Sequence, residues 1–157
     1  MNEYLWIKLL HIISSTLILG TGLGTAFFML RAHLSKNMEA MKITTQSVVL
    51  ADWIFTTPAI VIQFLTGLWL SSKLGIPYGS VWFISVMSLF FLIGLCWIPV
   101  VFIQIRIREI IRLGGTADDY RGLMKIWVGL GIPAFASILI LIYFMVSKFG
   151  MDIINFT

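Results

Sequence analysis

Four ionisable side chains stand inside or at the edges of long apolar runs: Lys8, His11, Asp52 and Lys148. Charged or titratable groups are costly in hydrocarbon, so each is a candidate for chemistry. His11 carries the most. Lys8 precedes it by three residues, and Ser14 and Ser15 follow at three and four, so helical spacing gathers a polar stripe. A neutral imidazole in such a place suits a haem-iron ligand or a proton-transfer group. The ordinary structural alternative is an interhelical hydrogen bond to a serine or a backbone carbonyl. His33 lies 22 residues on, roughly 33 Å along a continuous helix, so one iron could not take both histidines. Any haem would then be five-coordinate, take a non-histidine second ligand, or be shared between two chains.

The other candidates have two readings each. Lys148 closes the last apolar run on the side expected to hold His11. There it could pair with a carboxylate of a porphyrin, or simply snorkel to the interface. Lys8 has the same ambiguity. Asp52 could take up protons, or be neutralised in an ion pair with Arg31 or Arg106. The string GTGLGT holds Gly20, Gly22 and Gly24. It lacks the strand context of a dinucleotide loop, and Gly20 with Gly24 forms a G-x-x-x-G pair suited to close helix approach. A flat macrocycle lying against Gly22 and its neighbours is a further reading.

The elements that must position these residues are membrane helices. Apolar residues make up 59% of the chain and charged residues 11%, and mean hydropathy is +0.99, far from a typical soluble domain. That composition excludes a soluble enzyme, a nucleic-acid module and a disordered tail. The pI of about 9.5 reflects topology and not a nucleic-acid partner. Cys96 is the single cysteine, so the chain has no disulfide framework. Four runs are long enough to cross a bilayer as helices, at about residues 4–30, 48–72, 81–104 and 126–147. The first is too long for a signal-peptide core and is read as a mature span. The expected fold is all-α, a single domain over residues 1–157 with four transmembrane helices in one bundle.

Eight of the eleven Lys and Arg residues fall in the links between the first and second, and the third and fourth, spans. The positive-inside rule puts these links in the cytoplasm and both termini outside, for a multi-pass protein of the cell's inner membrane. Trp6, Trp82 and Trp127 fall near span ends, where interfacial aromatics are expected. Pro58, Pro99 and Pro133 can kink their helices. Gln63 and Thr66 turn the second span toward the bundle interior. The string IRIREIIRL, residues 105–113, suits a helix lying on anionic lipid or one that only sets orientation.

The runs WIKLLHIIS, ADWIFTTPAIVIQFLTGLWL and YRGLMKIWVGLGIPAFASILILIYFMVSK resemble the predicted integral membrane proteins of domain-of-unknown-function family 2269, over nearly the whole chain. More distantly, the chain resembles HemJ-type protoporphyrinogen IX oxidases and CopD-like membrane proteins. Trp6, Lys8 and His11 match a first-helix segment of the oxidases. Thr57, Pro58 and Ala59, with Gly67, Leu68 and Leu70, match a second, and Val146, Lys148 and Phe149 match a last. The resemblance implies a haem b cofactor ligated by His11, with Lys148 as the other functional residue. It also implies a porphyrin substrate and a quinone or respiratory electron partner. One histidine per haem suggests a homodimer. The last segment reads V-S-K-F without the proline the oxidases carry, and their R-x-N-E-x-P-T stretch is replaced around Gly131–Pro133–Ala134. The rival functions are an accessory subunit of a larger membrane complex and a CopD-like transporter.

Overall fold

The computed structural model describes residues 2–147. These form helix α1 (Glu3–Leu34), α2 (Met38–Ala51), a π-helical turn (Asp52–Thr56), α3 (Thr57–Lys73), α4 (Val81–Arg112) and α5 (Ala117–Ser147). Among the described residues four helices are long and apolar enough to cross a membrane, with α2, the π-turn and α3 continuing as one rod from Met38 to Lys73. The described fold is therefore all-helical and polytopic.

Each helix outruns its hydropathy signal, chiefly at the end where the basic links lie. A 32-residue helix is about 48 Å long, whereas a bilayer's hydrocarbon is about 30 Å thick. The helical second rod starts at Met38 and not near residue 48, α4 runs on to Arg112, and α5 begins at Ala117. Polar sequence there had read as link. Local chemistry marks the ends. Asn37 accepts the Glu39 and Ala40 amides, and Ser80 accepts the Phe83 amide. At the other ends Gly75 and Gly114 take φ of +66° and +84°, which lets the backbone close a Schellman turn after α3 and α4.

The helices pair. α4 lies along α5, and α1 lies along α3, while α2 bridges α1 and α4. The main apolar core sits at the basic end, where Met29, Met41, Ile107, Tyr120 and Met124 interlock. Ile107 and Ile111 belong to it, so the IRIREIIRL segment continues α4 and packs its apolar face on protein. A smaller cluster of Ile76, Trp82 and Val86 closes the other end, and Trp82 Nε1–H donates to the Phe144 carbonyl there. Much of the remaining apolar surface faces outward, as lipid contact requires.

The π-turn precedes Pro58. Proline supplies no N–H and its ring crowds the carbonyl four residues back, so an ordinary α-turn cannot close there. The ladder widens, and the Thr57 N–H bonds to the Asp52 carbonyl five residues back. The Thr57 hydroxyl donates to the same carbonyl at 2.9 Å.

Candidate functional site

Two polar centres lie inside the bundle, and both use the Met38–Lys73 rod. The first joins α1 to α3. His11 Nδ1 is 2.9 Å from Thr66 Oγ1, and His11 Nε2 is 3.0 Å from Gln63 Nε2. The Gln63 oxygen accepts from the Ser14 hydroxyl at 2.5 Å, so its amide nitrogen is the atom donating to His11. The Thr66 hydroxyl donates to the Ile62 carbonyl at 2.6 Å, leaving its oxygen to accept. These directions suit an imidazole protonated on Nδ1 with its lone pair on Nε2, and the same distances suit the other tautomer with the Gln63 amide turned. Ser14 is fully enclosed.

Gly67 makes the close approach possible. A Cβ at that position would stand 3.2 Å from His11 Cε1, tighter than a side chain there would tolerate without the ring moving. The expected close-packing glycines do not serve this way. A Cβ at Gly20, Gly22 or Gly24 would meet no atom within 4 Å, so among the described residues the G-x-x-x-G pair brings no helix close to α1 there. Gly22 is exposed and about 16 Å along the helix axis from His11. Lys8 is exposed and does not join the knot; its Nζ lies 6.0 Å from the Tyr4 ring centroid. Lys148 lies outside the described residues.

The second centre joins the π-turn to α4 and α5. Asp52 is 4% exposed and Gln104 2% exposed. Thr56 donates to Asp52 Oδ1 at 2.9 Å. With its amide turned to suit its neighbours, Gln104 donates to Asp52 Oδ2 at 2.8 Å and accepts from Trp127 Nε1–H at 3.3 Å. This corrects two expectations. Asp52 is held by neutral donors and not by Arg31 or Arg106, since the ion pairs among the described residues are Lys42–Glu39, Arg112–Glu109 and Arg121–Asp118. Trp127 is a buried donor and not an interfacial anchor. Gln104 had drawn no attention in the sequence, and Gly67 only as part of a matched segment and not as a packing position. An amide at the close of an apolar run was the one available signal for Gln104.

His33 is remote from both centres. Its ring meets Tyr120 edge-on at 5.7 Å, and its Nδ1 is buried without a hydrogen-bond partner. It lines a shallow cleft with Arg121 and Lys125. No group of three or more His, Cys, Asp or Glu residues able to hold a metal ion occurs among the described residues. A haem needs only one such ligand, so this bears on metal clusters alone.

Four apolar helices with polar groups turned inward define an integral, multi-pass membrane protein. The chain belongs to the DUF2269 family of predicted integral membrane proteins, whose family model matches residues 5–149. No curated protein and no solved structure matches it.

Proposed function

We propose that the protein is a haem-b-binding redox protein of the cytoplasmic membrane, similar in kind to HemJ-type protoporphyrinogen IX oxidases. The observation that supports this reading best is the placing of His11, with Thr66 2.9 Å from Nδ1 and only the Gln63 amide at Nε2. A metal-binding histidine donates one ring N–H to a fixed acceptor and offers the other nitrogen as a lone pair. In this reading Thr66 is that acceptor, and Nε2 is that lone pair. The donor set fits a haem iron on one condition, which is that the Gln63 amide swings off Nε2. A glutamine side chain has the freedom to do so, and its loss leaves Ser14 bonded to the His11 carbonyl.

In this reading each residue has a bounded task. His11 ligates, Thr66 fixes the ring, Gly67 admits it, and Gln63 occupies the ligand position until it is displaced. Backbone contact between the α1/α3 pair and α4/α5 is sparse, which favours entry of a flat group between the pairs. When bound, haem supplies one-electron chemistry that no side chain here can perform. Lys148, by the resemblance, and Lys8 would pair with carboxylates of haem or of a porphyrin substrate. A quinone or respiratory partner would take the electrons, and a second copy of the chain could supply a further ligand.

One observation favours a second reading, an accessory subunit of a larger membrane complex. Both His11 ring nitrogens are already satisfied within the chain, as a purely structural tie would have them. A reduced-minus-oxidised spectrum of the detergent-purified chain from haem-replete cells separates the two. Haem b bands lost in His11→Ala support the redox protein. A folded wild-type sample without haem overturns it.

A further inference from the structure

We infer that Asp52, with Thr56 and Gln104, forms an exchangeable proton-binding site within the membrane-spanning part of the bundle. The inference stands apart from the haem reading and uses the second polar centre only.

An ionised carboxylate placed in an apolar span needs a counter-charge or protonation. Asp52 has no counter-charge. Arg31 of α1, Arg106 and Arg108 of α4, and Lys125 of α5 make no ion pair with it. Lys42 and Glu39 of α2, Arg112 and Glu109 of α4, and Arg121 and Asp118 of α5 pair with one another, and His33 of α1 meets Tyr120 of α5. What Asp52 has is two neutral donors, one on each oxygen, with the second fixed by Trp127. Those donors favour the carboxylate, while burial and the missing cation favour the acid. Neither form has all its requirements met, so the two compete.

The backbone supports the same conclusion. The carboxylate opens a π-helical turn, a feature that concentrates at functional sites. The turn holds Asp52 and Thr56 four residues apart, both buried and bonded to each other. In the step itself a hydronium ion gives up one proton: its O–H bond breaks, an O–H bond forms on one Asp52 oxygen, and a water molecule is released. The chain's net charge rises by one.

The test is infrared difference spectroscopy of the full chain in lipid nanodiscs, labelled with 13C-aspartate. Spectra are recorded on acidification over the range in which the protein stays folded. The expected result is a carboxylic-acid C=O band that appears reversibly, shifts in D2O, and is absent in Asp52→Asn. Gln104→Leu and Thr56→Val each remove one donor and should displace the band and its titration midpoint. The inference is overturned if no reversible acid band is sensitive to Asp52→Asn. If that variant does not fold, bands unmoved in both Gln104→Leu and Thr56→Val overturn it equally.

Discussion

At His11 the chain spends three side chains on one imidazole. Ser14 fixes Gln63, Gln63 bonds Nε2, and Thr66 bonds Nδ1. Interhelical hydrogen bonds in membranes average about 0.6 kcal/mol, so the knot is a modest tie and a specific one. Gly67 is the residue on which it depends sterically. Gly67→Ala should press the ring back by a few tenths of an ångström against the bonds from Gln63 and Thr66 and lower stability by about 1–3 kcal/mol, as overpacking does. Gly22→Ala should cost nothing measurable beyond helix propensity, because open space surrounds it. Thermal unfolding of both variants in the same detergent checks the contrast. The polar stripe on α1 was legible from spacing, and so was the inward turn of Gln63 and Thr66. Lys8 was not, because sharing a helix face in sequence does not fix which way a long flexible chain leaves it. Nor was Gly67, whose role depends on the helix it faces.

Between elements, the decisive feature is the π-turn. It takes up one extra residue before Pro58, so the residues after it keep nearly the phase of an uninterrupted α-helix and α3 presents Gln63 and Thr66 to α1. Deleting Phe55, an exposed residue of that turn, should restore α-helical winding and leave Gln63 at His11. Inserting one alanine between Ala59 and Ile60 should instead rotate everything after it by about 100° and take Gln63 away. The pairwise coupling between His11→Ala and Gln63→Ala, measured by a double-mutant cycle of unfolding free energies, should survive the deletion and fall to zero in the insertion. A coupling lost in the deletion would mean that the π-turn sets the register by itself. The positions of the four spans were readable, since an apolar run of membrane length is a local property. The π-turn was not, although Pro58 announced a disturbance. The helical extensions past the membrane were missed because polar sequence reads alike in a loop and in a solvated helix. Asp52 drew attention by its cost, but its partners on α4 and α5 are tertiary facts.

The molecule as a whole is polarised. Its larger core and its basic links share one end, and the turn at Tyr78 marks the other. The positive-inside rule predicts that the basic end is cytoplasmic. In a Cys96→Ala background, a membrane-impermeant thiol reagent should label Tyr78→Cys in intact cells and Lys36→Cys only after permeabilisation. Both positions are exposed. The reverse pattern would invert the topology and move His11 to the cytoplasmic half.

The claim that His11 offers a ligand position guarded by Gln63 is tested most directly by haem titration. The full-length apoprotein in detergent would be titrated as wild type, Gln63→Ala and His11→Ala. The wild type should bind haem, and Gln63→Ala should bind it about 3-fold tighter, since a competing bond worth about 0.6 kcal/mol is gone. His11→Ala should hold no ligated haem. Equal haem spectra in all three, or none in a folded wild type, would contradict it.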